Sequence, residues 1–218
     1  MCPCMFYRGY MKITEIKEFN KAKCEIIMED EQKLVLYKGD LRRYGLKEGE
    51  EISEKQMNLL QEEILPKRAQ ERCLKLLQGK DYTEEEIRKK LCSDGYQETV
   101  IDETIIFLRK YDYLNDIRYI NLYYQCKSTR KSKKQIILDL QQKGIAKDLI
   151  HDVLQNIEPE EENGGDLYCI RKLLLKKRYE DSESGYEEKE RIKMYLFRKG
   201  FELSDINLCM KNFTCREL

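Results

Sequence analysis

Three prolines, eleven glycines and a single histidine are all that 218 residues hold of the residues that most often break helices or serve in catalysis. So few helix breakers favour long helical segments. The lone histidine, His151, leaves no second imidazole for a metal-binding helix motif or a proton relay. No phosphate-cradling glycine loop and no nucleophile elbow occurs either. No set of acid, base and nucleophile assembles from the residues at hand, so an enzyme is the class least expected. No catalytic residue, cofactor or metal is anticipated. Cys2-Pro3-Cys4 resembles half a metal site, but structural zinc normally takes four ligands and no second pair follows at ligand spacing. No stretch approaches the roughly 18 uninterrupted apolar residues of a membrane span. The start has no apolar run of the signal-peptide kind. The expectation is a cytoplasmic protein without membrane contact.

The charge that is present is abundant and balanced. Lys plus Arg total 41, as do Asp plus Glu, giving a formal net charge of zero and 38% charged residues. No global field therefore draws the whole molecule to nucleic acid or to an anionic membrane. Locally the balance fails: residues 116–156 carry a cationic excess, and Glu158, Glu160, Glu161 and Glu162 form an acidic run. The nine cysteines are an odd number. Several fall at apolar helix positions (Cys73, Cys92, Cys169, Cys209), as suits buried reduced thiols rather than a disulfide framework.

An internal repeat decides the fold class. Three segments align without gaps, ending at Leu108, Ile157 and Phe213, around a shared glycine: Gly95, Gly144 and Gly200. Eight residues before it stand Ile87, Ile136 and Ile192, and four before it Leu91, Leu140 and Leu196. Just after it comes Tyr96, Ile145 or Phe201. Ile101, Ile150 and Ile206 follow at plus six, Ile105, Leu154 and Met210 at plus ten, and Leu108, Ile157 and Phe213 at plus thirteen. Steps of four on either side place these residues on one helix face, and the glycine falls where a left-handed cap is wanted. Each block is a helix, a tight corner and a second helix. A further helical stretch precedes each one: Arg68–Leu77, Ile117–Cys126 and Leu167–Tyr179. The sequence thus predicts a mainly α protein of three tandem three-helix repeats forming an elongated array.

In front lies a small strand-rich module. Alternation around Ile13, Cys24–Met28 and Leu34–Leu36, broken at Asn20-Lys21 and Glu29-Asp30-Glu31, reads as three short antiparallel strands. A short helix over Asp40–Tyr44 stops at Gly45. Ser53 and Gln56 form a capping box for the next helix, which Pro66 either kinks or restarts. The expected boundaries are a disordered lead over 1–10, the module with its following helix over 11–65, repeats over 66–115, 116–157 and 166–218, and an acidic linker over 158–165.

Two cationic clusters are the candidate partner-binding residues. Lys127, Arg130, Lys131, Lys133 and Lys134 occupy the corner between the first two helices of repeat two, just after Tyr119, Tyr123 and Tyr124. Arg171, Lys172, Lys176, Lys177 and Arg178 lie on the first helix of repeat three. Cations beside aromatic rings suit nucleic-acid backbone and bases, or an acidic protein groove. Five cations on single-stranded phosphates would give a salt slope of about −3.5, at roughly 0.7 per contact.

The junction Tyr113-Leu114-Asn115-Asp116-x-x-Tyr119-Ile120 and the later Ile136-x-x-x-Leu140-x-x-Lys143-Gly144-Ile145 resemble the signatures of the RecX family, regulators of the recombinase RecA. The front, with Tyr44-Gly45-Leu46-x-x-Gly49-x-x-Ile52, is similar to the N-terminal extension of Firmicute members. The resemblance runs from about Met11 to Phe213. Two positions depart from it: Asp112 stands where a glycine is common, and Ser132-Lys133 where Gly-Pro is frequent. The resemblance implies a monomeric, non-enzymatic protein of DNA repair and the SOS response. It would bind the RecA filament, with single-stranded DNA inside it as a further contact, and damp recombination, ATP hydrolysis and co-protease action. A stand-alone helical DNA-binding regulator and a generic helical-repeat adaptor are the alternatives.

Overall fold

The computed structural model describes residues 10–157, 165–181, 184–211 and 213. The Cys2-Pro3-Cys4 motif, nearly all of the expected lead and the acidic run at 158–162 lie outside them.

Alternating apolar residues build a four-stranded antiparallel sheet from β1 (Tyr10–Glu18), β2 (Lys23–Met28), β3 (Lys33–Tyr37) and β4 (Glu51–Ser53), in the order β3-β2-β1-β4. Three strands match the alternation; β4 is one more than the sequence suggests. It pairs Ile52 with Met11 and Ser53 with Tyr10, and three residues are too few to show a period. Between β3 and β4, α1 (Lys38–Tyr44) ends on Gly45 at φ 66°. Ser53 then opens α2 (Glu54–Asn58) with the expected reciprocal capping box.

Pro66 resolves in an unanticipated way. The helix runs through a π-helical stretch over Leu59–Ile64 into α3 (Leu65–Leu77), with the proline in the first turn of α3. Proline has no N–H to donate and its ring crowds the carbonyl four residues back, and a widened turn accommodates both. The same stretch absorbs an irregular apolar rhythm. Buried Met57, Leu60, Leu65, Ala69 and Cys73 step by three, five, four and four, and a step of five needs the wider turn.

Repeat one continues with α4 (Glu84–Ser93) and α5 (Glu98–Lys110); α4 is opened by a Thr83–Glu86 capping box. Repeat two holds α6 (Asp116–Lys127), α7 (Lys133–Gln142) and α8 (Lys147–Gln155). Repeat three holds α9 (Gly165–Lys177), α10 (Tyr186–Arg198) and α11 (Leu203–Met210). Every position of the shared apolar pattern is buried except Ile157, which is half-buried.

The three glycines have φ of 84°, 86° and 88°. Around each, the same two bonds close the helix end. Tyr96, Ile145 and Phe201 donate to the carbonyls of Leu91, Leu140 and Leu196, while the glycines donate to Cys92, Gln141 and Phe197. This is the Schellman arrangement, with the residue after the glycine packing back onto the helix. Of the cysteines expected to be buried, Cys73, Cys169 and Cys209 are, but Cys92 is exposed, because it sits three residues before its glycine and off the buried stripe. No disulfide joins the described cysteines.

The chain divides into two compact units, residues 1–114 and 115–218. In the first, the sheet and repeat one share one core, running from Ile13 and Ile26 through Leu60 and Ala69 to Leu108 and Leu114. The second has one core per repeat, around Ile120, Ile136 and Leu140, and around Ile170, Leu174 and Leu196. Among the described residues, no helix is long and apolar enough to cross a membrane.

Candidate functional site

The basic corner of repeat two is built by hydrogen bonds that fix its backbone. After α6 ends, Ser128 donates to Tyr124, and Arg130 and Lys131 both donate to the Lys127 carbonyl, making a tight turn. Ser132 then caps α7, its Oγ accepting from the Gln135 N–H at 3.2 Å. That hydroxyl also donates to the Lys199 carbonyl of repeat three at 2.8 Å.

Repeat three holds the corner at two further points. The Lys133 N–H donates to Asp166 Oδ1 at 2.8 Å, and the buried Cys169 thiol donates to the Ser128 carbonyl at 2.9 Å. Burial pushes that thiol up to about 11. It also pushes the Asp166 carboxyl above its usual range, with the Lys133 N–H working against it. A methyl group at Gly200 would stand 2.8 Å from Ser132 Oγ, so the corner closes directly on the glycine of the next repeat.

The five cations of this corner differ in their commitments. Lys131 forms an ion pair with Asp139 and is half-buried. Burial works to raise the Asp139 carboxyl, but bonds from Lys131, Gln135 and Tyr123 outweigh it and hold the group below its ordinary value. Lys133 is exposed, yet its ammonium reaches the Leu154 carbonyl at 3.3 Å. Arg130 and Lys134 are exposed. Lys127 lies over the Tyr123 ring at 5.9 Å.

The neighbouring tyrosines are sorted as well. Tyr119 and Tyr123, one turn apart on α6, stack with ring centres 6.1 Å apart and an interplanar angle of 15°. Tyr123 donates to Asp139 at 2.9 Å, and burial raises its phenol to about 12. Tyr124 is half-buried and does not join the stack. Lys143 lies over Tyr119 at 5.5 Å, so the stack has an ammonium at each end.

Repeat three carries a smaller version. Lys177 and Lys199 both lie over Tyr195, at 4.8 and 5.2 Å. Lys172 and Lys176, four apart, share another face of α9, with Lys172 over Tyr168 at 5.6 Å. Arg171 is exposed on the same helix. Arg178 sits past the helix end in the left-handed region, φ 53°, as a backbone cap.

The sequence reading missed Lys143, Tyr195 and Lys199. The signal was available: Lys143 and Lys199 both immediately precede the shared glycine, where repeat one has Asp94, itself bonded to Arg72 at 2.8 Å. His151 is half-buried on α8. Among the described residues, no group of three or more His, Cys, Asp or Glu side chains gathers as metal ligands would.

Tandem three-helix repeats sharing one capped corner, behind a four-stranded sheet, define the class: a helical-repeat protein with an N-terminal strand module. The model of the RecX first three-helix domain matches residues 69–108, and that of the third matches residues 168–210. Regulatory protein RecX of Caldanaerobacter subterraneus subsp. tengcongensis is 29% identical, over 90% of this chain and 96% of that one. The RecX of Clostridium acetobutylicum is 30% identical, over 77% and 79%. A crystal structure of regulatory protein RecX superposes with a TM-score of 0.61 at 25% identity, covering 92% of this chain and 99% of the other. That of RecX from Lactobacillus salivarius gives 0.58 at 26% identity, covering 67% and 95%. The chain belongs to the RecX family of regulatory proteins.

Proposed function

We propose that this chain binds the RecA filament on DNA and lowers its ATP hydrolysis and recombinase activity, through the cations and tyrosines of repeats two and three. The observation that carries the reading is the pair of lysine-flanked tyrosine clusters, Lys127–Tyr123–Tyr119–Lys143 and Lys177–Tyr195–Lys199, on consecutive repeats. Two similar weak contacts on one chain raise each other's effective concentration against a repeating filament. Membership of a family of regulators supports a binding role over a catalytic one. The protein is expected to act in the cytoplasm as a monomer.

The test is ATP hydrolysis by RecA on single-stranded DNA with the purified protein added. Hydrolysis falls with increasing protein; an unchanged rate at several-fold excess overturns the reading. Arg130→Glu with Lys134→Glu weakens the effect while the thermal midpoint stays nearly constant, since neither side chain has an ion-pair partner here. Lys131→Glu lowers the midpoint as well, because it sets a carboxylate against Asp139. If the corner also meets the enclosed strand, Lys127, Arg130 and Lys134 are the cations left for phosphate, since Lys131 and Lys133 already donate to Asp139 and to the Leu154 carbonyl. The salt slope is then about −2, at roughly 0.7 per contact.

A further inference from the structure

A second cationic feature lies in the first unit, where the sheet meets α3. A cavity of about 510 Å3 opens there, lined by Asn20, Lys23, Tyr37, Arg68, Arg72 and Lys75 together with Glu71 and Asp94. Its base holds an unusual side chain. Lys23 is 4% exposed and sits between two aromatic rings, its ammonium 5.0 Å from the centre of Tyr37 and 4.2 Å from that of Tyr96. Its one hydrogen bond runs to the Asp94 carbonyl, at 2.8 Å. An ammonium has three donors, so two remain beside the cavity.

The acids at the rim are already matched. Arg68 is bonded to the buried Asp40 at 2.7 and 3.0 Å and to Glu71 at 2.9 Å. Asp94 accepts from Arg72 Nε at 2.8 Å, which leaves the two terminal nitrogens of that guanidinium. Lys75 is exposed, one turn along α3 from Arg72 and on the same face. The lining therefore holds two lysines in excess of its acids, together with the free end of an arginine. Burying an ammonium with a single acceptor is unfavourable unless further negative charge compensates it. The rings supply part of that compensation and a bound anion would supply the rest.

We propose that this cavity binds the oxyanion of a phosphate group, with Lys23 at its base and Arg72 and Lys75 at its mouth. A phosphate presents several strong acceptors, and these three cationic side chains, from β2 and α3, line one cavity. Phosphates from a nucleic-acid backbone and from a free phosphorylated small molecule share this chemistry. The inference concerns the strand module and repeat one, and does not depend on binding to a recombinase.

The experiment uses the full chain, inorganic phosphate as probe and sodium chloride at matched ionic strength as control, with no recombinase present. Phosphate raises the thermal midpoint above the chloride control and broadens the 31P resonance. Lys75→Ala, at an exposed position, and Lys23→Met each weaken phosphate binding by about tenfold or more, the factor expected for one charged hydrogen bond. An equal midpoint rise in chloride, or phosphate affinity unchanged in Lys75→Ala and in folded Lys23→Met, overturns the proposal. A short oligothymidylate added as competitor separates the sources. Displacement of phosphate marks a nucleic-acid backbone, and persistence of the phosphate signal marks a small phosphorylated ligand; both outcomes support the pocket.

Discussion

Asp112 shows how far one residue can be read. It stands where the family resemblance leads one to expect glycine, and its φ is 53°, in the region that glycine enters most freely. Aspartate is among the side chains that tolerate this conformation and β-branched ones are not. Asp112→Val is expected to be about 1–2 kcal/mol less stable than Asp112→Gly in urea unfolding, since both lose the carboxylate and only valine strains this backbone. The cysteines offer a second residue-scale check. Cys73, whose thiol burial pushes up to about 12, should resist alkylation in the native protein together with Cys169 and Cys209. Cys92 and Cys126 are exposed and should be modified first, as read by mass spectrometry of peptides after short labelling. Reaction at Cys73 on the same timescale would contradict its buried place in the core. The Cys92 error came from reading an apolar residue type as an apolar position: the stripe is set by Ile87 and Leu91, and Cys92 falls beside it.

At the scale of elements, the joint between repeats two and three rests on the cap of α7. Ser132→Ala removes both the bond from Gln135 and the bond to Lys199, and should cost about 1–2 kcal/mol. Asp166, in the first turn of α9, adds a pH dependence of definite sign. Its folded-state pKa is raised by burial, so its contribution is fully present below the unfolded pKa and is lost as pH rises through the folded value. The destabilisation caused by Asp166→Asn should therefore shrink as pH is raised from about 3 to about 7 in a series of unfolding curves. A penalty that grew with pH would show that the hydrogen bond from Lys133, not burial, governs this carboxyl. The repeat helices were legible in the sequence because their signals are local: apolar steps of four throughout, a glycine after α4, α7 and α10, and a capping Thr83 or Ser132 before α4 and α7. The strand β4 and the seam from Ser132 to Lys199 were not, because each depends on a partner far along the chain. The two basic clusters could be located by composition alone. Which of their cations were already bonded could not, since Asp139 and the Leu154 carbonyl reach Lys131 and Lys133 only through the fold.

For the whole molecule, two compact units with separate cores imply two pieces that can be studied apart. Fragments 1–114 and 115–218 should each give a helical circular dichroism spectrum and a cooperative melt. A non-cooperative melt of the first fragment would mean that its shared core is insufficient alone. Within that fragment, the π-helical stretch over Leu59–Ile64 has a consequence for chain length. A π turn is a regular helix with one residue too many, and here it falls between Leu60 and Leu65, both buried. Deleting Glu62 would let the helix wind regularly, with the two leucines then four apart and still on one face. Met57 and Leu60 would stay on the buried stripe, now stepping by three, four, four and four through Leu65, Ala69 and Cys73. The wide turn thus holds one residue of slack, so that deleting a single residue between 59 and 64 should lower the thermal midpoint less than inserting one there, where the extra residue has no further turn to widen.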